Sequence, residues 1–174
     1  MYKKIAKILY KIFTPATVYK YFFSISPMYR RSTGKIKYVS KNLDTINIEI
    51  PLSYKNKNYA DSIFGGSLFS ATDPIYMMQL IKILGDSYII WDKYSSIHYI
   101  RPAKENAYAS FIFSKEEIDN IKSGIRKNGE IVWDKKLSIT DKNGGIFCFL
   151  EKKIYIADKF FYNRKINTPH ISMN

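Results

Sequence analysis

Residues 58–73 read Asn58-Tyr59-Ala60-Asp61-Ser62-Ile63-Phe64-Gly65-Gly66-Ser67-Leu68-Phe69-Ser70-Ala71-Thr72-Asp73. A Gly-Gly pair stands before a helix-compatible apolar run, and a carboxylate follows seven residues after the second glycine. Glycines at a helix start leave backbone N–H groups bare and present a positive dipole end to a developing anion. A nearby carboxylate can act as nucleophile or general base. The combination reads as a site for acyl chemistry. Each part also has a structural reading. Gly65 and Gly66 can simply permit close helix–sheet packing, Asp73 before Pro74 can be a helix cap, and Asn58 can organise a turn.

Working outward, residues 63–84 form an apolar run with two readings. A helix can start at Pro74 behind an Asp73 cap, or near Gly65 with a bend at Pro74, whose ring removes a backbone bond. Before it, Ile46, Ile48, Ile50 and Leu52 alternate with Thr45, Asn47 and Glu49, the pattern of a half-buried strand. A hairpin at 42–44 joins it to a strand from Lys35. After Gly85-Asp86, strands are expected over 88–100 and 107–113. Ser114 to Glu117 is a capping box opening a short amphipathic helix to about Gly129. Strands follow over 131–139 and 146–156, joined by a turn at Asp141 to Gly145. Residues 15–32 carry a second short helical element ending near Pro27. The order α, β, β, α, β, β, α, β, β with hairpins predicts an antiparallel sheet and an α+β fold, with one long apolar helix wrapped by the sheet.

The chain has 174 residues, 46% of them hydrophobic, which suits one globular domain. Cys148 is the only cysteine, so no intramolecular disulfide forms and a cytoplasmic setting is favoured. With His98 and His170 far apart, no metal site is expected. The net charge is +13, and residues 1–43 hold ten Lys/Arg and no Asp/Glu. Such asymmetry points to an anionic partner: a membrane surface, nucleic acid or a phosphorylated ligand. With no helix-turn-helix, zinc or RNP-like motif, nucleic acid ranks last. Within residues 1–13, positions 5, 8, 9 and 12 share one helical face, with Lys4, Lys7 and Lys11 around the other. That helix can lie on a membrane, or pack on its own domain or a dimer partner. It lacks a signal-peptide h-region, and no apolar run is long enough to span a bilayer.

The spacing Asn58, Phe64, Gly65-Gly66 and Asp73 resembles the active-site segment of hotdog-fold acyl-CoA thioesterases of the phenylacetate-degradation type. Ile97-His98-Tyr99-Ile100-Arg101-Pro102-Ala103-Lys104 resembles that family's Tyr-x-x-Pro-Ala-Lys strand end. Pro27-Met28-Tyr29, Phe64 to Ser67, Asp73 to Met77 and Trp91 to Lys93 are similar to motifs of an uncharacterised hotdog branch. Charge and composition set off an N-terminal basic helical arm over 1–27 and a polar, frayed tail over 158–174, and the resemblance implies a hotdog domain over 28–157. It implies a central helix from about 65 to 84, bent at Pro74.

The activity implied is hydrolysis of a medium- or long-chain acyl-CoA at the interface of a homodimer or dimer of dimers. The alternative is a non-catalytic acyl- or lipid-binding protein at the membrane periphery. The Gly66 N–H would polarise the thioester oxygen, and Asp73 would attack it or activate water. Asn58 would orient the carbonyl or a loop, and Asp92 would hold the water. Gly65, Phe64, Ser67 and Met77 would contact substrate, with Ile63, Phe69 and Met78 along an acyl tunnel. Arg101 and Lys104 would meet the phosphates of coenzyme A, which enters as substrate, or the thioester would come from an acyl carrier protein. No separate cofactor is implied. Two departures stand out: Phe64 occupies a position where many of these enzymes have His, and Pro74 follows Asp73.

Overall fold

In the computed structural model, which describes residues 2–167, alternation of apolar and polar residues produces six strands. They are β1 Lys35–Val39, β2 Thr45–Ile50, β3 Tyr88–Tyr99, β4 Ala107–Ile112, β5 Glu130–Thr140 and β6 Ile146–Asp158. They form one antiparallel sheet in the order β1-β2-β4-β5-β6-β3, leaving β1 and β3 as edges. On β2 the alternation holds as read: Ile46, Ile48 and Ile50 are buried and their neighbours half-buried. The β3–β6 register slips between Asp92 and Tyr94, a bulge next to Lys93.

The sheet wraps a helix made of two pieces, α4 Gly65–Thr72 and α5 Ile75–Leu84. The later start at Pro74 is thereby excluded, and the helix from 65 to 84 is interrupted at Asp73-Pro74. Leu68, Ala71, Ile75 and Leu80 join Ile48, Phe111, Ile139 and Leu150 in one core. Pro74 has no N–H to give the carbonyl one turn back, so the ladder breaks there. Donors from elsewhere serve two carbonyls at the break. The Tyr29 hydroxyl donates to Ala71 O at 3.1 Å, and the Lys152 ammonium donates to Asp73 O. Gln79 Nε2, fully buried, donates to Leu43 O at 2.8 Å and ties α5 to the sheet margin. This sheet around a helix is the hotdog arrangement.

The N-terminal arm comprises α1 Tyr2–Ile12, α2 Pro15–Thr17, a π-helix Val18–Phe23 and α3 Pro27–Arg31. Pro27 opens a helix rather than ending one, because its missing N–H and fixed φ suit a first-turn position. The Ser26 side chain caps that turn by accepting from Tyr29 N. The capping box of α6 Lys115–Asn128 forms as read, and Gly129 ends that helix at φ 77°.

The expected frayed tail is corrected over residues 159–167, which form α7 Lys159–Asn167. Asp158 Oδ1 accepts from the N–H groups of Phe160 and Phe161 at its start. Tyr162 packs edge-on to Trp91 at 5.5 Å, and Lys165 pairs with Glu130 at 2.6 Å. Aromatic residues in a polar sequence thus anchor it to the sheet. The rest of the tail lies outside the described residues.

Tyr29→Phe leaves the ring in place and the buried Ala71 carbonyl without that donor. A loss of about 1–3 kcal/mol is expected, read from urea unfolding.

Candidate active site

The first turn of α4 stands over a cleft. Phe64 is its N-cap residue and makes no side-chain cap bond. The Phe64 carbonyl accepts from Ser67 N at 2.8 Å and Leu68 N at 3.3 Å. The N–H groups of Gly65 and Gly66 precede the helix ladder and have no acceptor among the described residues. A Cβ on Gly65 would stand 2.6 Å from the Tyr99 hydroxyl oxygen, and one on Gly66 would stand 2.3 Å from the Phe64 ring. The Phe64 ring is 59% exposed and lies across the second glycine.

The cleft beside this turn encloses about 430 Å³ and is lined by Asn58, Ile63, Gly65, Leu68, Tyr99 and Arg101, among others. Asn58 Oδ1 accepts from Ala60 N, Ser62 N and Ser62 Oγ, so its oxygen shapes the loop leading to the helix. Of its two expected tasks the structure displays the loop one. Arg101 is held in the cleft wall by Asp141 at 2.7 Å and by the Ile146 carbonyl, and it stacks on Phe147. Lys104 is exposed and makes no ion pair among the described residues. Burial, with a smaller contribution from Cys148, pushes the Tyr99 phenol above its ordinary range, so it stays a hydroxyl donor.

A second polar group lies where the helix breaks. Lys152 on β6 has a fully buried side chain, with 0% exposure. Its ammonium donates to Asp73 Oδ1 at 3.0 Å, to the Asp73 carbonyl and to Asp92 Oδ2. The Asp73 carboxylate remains 47% exposed. Asp92 Oδ1 is buried without a partner among the described residues. Burial raises the Asp92 carboxyl above the ordinary aspartate range; Lys152 opposes the rise and Asp73 adds to it.

Asp73 and Asp92 are therefore brought together. Asp73 and Gly66 of one chain are not, because seven helical residues rise about 10 Å. Ser67 is buried within α4 and is not among the residues that line the cleft. Met77 is half-buried on α5, about 16 Å along the axis from Gly66. Met78 instead lines a separate apolar cavity under the N-terminal arm. Among the described residues no group of three or more His, Cys, Asp or Glu is arranged to hold a metal ion. Burial pushes the Cys148 thiol up to about 12, so it is no thiolate nucleophile.

Lys152 escapes the motif reading, and Tyr99 entered it only as part of a motif, without a role. For Lys152 a signal existed: Cys148, Leu150, Ile154 and Ile156 alternate onto the core face, and Lys152 sits in register with them. The motif containing Tyr99 gave it no role, because its meeting with Gly65 depends on how a strand end and a helix start cross.

Residues 13–156 match the family described as Domain of unknown function (DUF4442). The chain belongs to that family. No curated protein matches this DUF4442 chain in sequence. Solved structures do match its fold. PA5026 of Pseudomonas aeruginosa, a protein of unknown function and a thioesterase candidate, is 16% identical with a TM-score of 0.72, covering 82% of this chain and 95% of its own. A Chlorobaculum tepidum protein of unknown function is 18% identical with a TM-score of 0.64, covering 80% and 91%. Thioesterase HI1161 of Haemophilus influenzae is 11% identical with a TM-score of 0.57, covering 79% and 87%.

Lys152→Met leaves the partly exposed Asp73 carboxylate and the buried Asp92 carboxyl facing each other without their shared cation. It is expected to cost about 3–5 kcal/mol, with part regained on adding Asp92→Asn, as read by thermal unfolding. The folded state also holds the Asp92 proton to higher pH than the unfolded chain does. That contribution is present below the ordinary aspartate range and is lost as pH rises through the raised value. Asp92→Asn is expected to flatten stability against pH from about pH 4 upward, measured by denaturant titration.

Proposed function

We propose that this chain is an acyl-CoA thioesterase acting on medium- or long-chain substrates as a homodimer. The observation that carries the reading is Asp73. It is a partly exposed carboxylate, fixed by a buried ammonium, on a helix whose glycine start is open. Lys152 occupies one carboxylate oxygen and leaves the other to meet water. In the proposed reaction Asp73 takes a proton from water, and the hydroxide oxygen adds to the thioester carbon. The oxyanion forms against the Gly66 N–H and the helix dipole, with the Tyr99 hydroxyl as second donor. The carbon–sulfur bond then breaks, and the thiolate leaves and takes up a proton. The acid and the free thiol are the products.

Tyr99 offers the donor that Phe64 cannot supply. Asp92, with one oxygen unpartnered, is placed to hold the attacking water. Lys104 is the cation best placed for a phosphate of coenzyme A, since Arg101 is engaged by Asp141. Ile63 and Leu68 give the cleft its apolar wall.

One chain cannot bring Gly66 and Asp73 to one carbonyl. Two antiparallel central helices related by a two-fold can, each supplying one half of each site. The free β3 edge, twelve residues long with Trp91 and Tyr94 exposed, supports pairing between two copies. A second reading, an acyl-binding protein without turnover, is favoured by one observation: the Phe64 ring lies over Gly66 and must turn aside before a carbonyl can approach.

A free-thiol assay over acyl-CoA thioesters from acetyl to palmitoyl separates the two. Turnover that Asp73→Ala abolishes, and that Tyr99→Phe reduces by about 10²–10³, is the expected result. No turnover with any chain length, alongside a bound acyl ligand, would establish the binding role instead. The shared site has its own check. The wild type is expected to sediment at twice the 20.4 kDa of the chain. Mixing and reassembling inactive Asp73→Ala with inactive Gly66→Val should restore about a quarter of wild-type activity, because half the dimers then hold one intact site.

A further inference from the structure

We propose that α1 docks in the plane of an anionic lipid bilayer, its isoleucines entering the interface and its lysines meeting the headgroups. The first observation is charge: ten Lys/Arg and no Asp/Glu precede Asp44. The second is an apolar face that the domain does not cover. Ile8 is 60% exposed and Ile12 is 71% exposed, and Ile5 and Phe13 are also exposed. Tyr21, Ile25 and Met28 add exposed apolar side chains from the rest of the arm. Among the described side chains of α1, Ile5, Leu9 and Tyr10 face the rest of the protein. There Leu9 and Tyr10 border a cavity of about 190 Å³ with Phe22, Phe23 and Met78, and the Tyr10 ring takes the Lys82 ammonium at 3.4 Å.

These features select the occupant. A second copy of the arm would bring seven Lys/Arg against seven, with no Asp/Glu on either side. A nucleic acid would satisfy the lysines and leave Ile8 and Ile12 in water. An anionic bilayer takes both, because such a helix places its apolar face at the acyl boundary and its cations at the headgroups. At eleven residues α1 is about 16 Å long, and no helix among the described residues is long and apolar enough to cross a membrane. It therefore lies on the bilayer. The proposal does not depend on the thioesterase reading.

The test is flotation of the full chain with vesicles of phosphatidylcholine, alone or with one third phosphatidylglycerol. Wild type is expected to float with the anionic vesicles and to remain below with the neutral ones. Lys4→Ala/Lys7→Ala/Lys11→Ala is expected to lower the partition coefficient roughly a hundredfold, each cation near such a surface contributing about fivefold. Ile8→Ser/Ile12→Ser should lower it at least roughly tenfold. Both replaced isoleucines are exposed, so unchanged circular dichroism and melting temperature would show that the fold is intact. Failure of the wild type to float overturns the proposal. So does an Ile8→Ser/Ile12→Ser protein that floats like wild type, since adhesion is then electrostatic only. Displacement from the vesicles by duplex DNA, with the isoleucine variant binding that DNA unchanged, would assign the arm to nucleic acid instead.

Discussion

The buried ammonium of Lys152 is the constraint on which the site depends. A charge taken wholly out of water is tolerated only where opposite charges and hydrogen-bond acceptors surround it. Asp73 comes from the central helix, Asp92 from β3 and Lys152 from β6, so one ion group joins three elements. It also fixes the direction of the Asp73 carboxylate, the group with the strongest claim to chemistry. Stability and activity are thereby coupled at one point of the fold.

The helix break supplies the third acceptor. Pro74 has no N–H for the Ser70 carbonyl, and the helix is interrupted beside Asp73. At this interruption the Asp73 carbonyl accepts from Lys152, and the Ala71 carbonyl accepts from Tyr29. The proline that looked in sequence like an obstacle to placing Asp73 is part of what anchors it. At the other end of α4 the two glycines have different neighbours. Gly65 makes room for Tyr99 from β3, and Gly66 makes room for Phe64 beside it in sequence. The close-packing reading and the open-helix-start reading are both expressed there, because the same absent Cβ serves each.

Two faces of the molecule differ in character. The sheet and central helix carry nearly balanced charge around a continuous core. The N-terminal arm carries only positive charge and leaves isoleucines in water. Bulk hydrophobicity does not explain that difference, since the domain had an apolar flank available and used only part of it.

The strands, the capping box and the hairpin turns were legible in the sequence, because local periodicity and turn chemistry dictate them. Gly65-Gly66 and Asp73 stood out for the same reason. The extent of the central helix followed from the resemblance, since local propensity left two starts open. The α7 helix was not legible: its aromatic residues find Trp91 and the Gly129 surface only after the sheet has formed. The sequence by itself determined which residues are apolar, where the chain turns and where charge accumulates. Only tertiary structure decided that Lys152 neutralises Asp73 and Asp92, and that Tyr99 stands over Gly65. Those contacts join residues 60 to 79 and 34 positions apart, and no local propensity encodes a meeting at that separation.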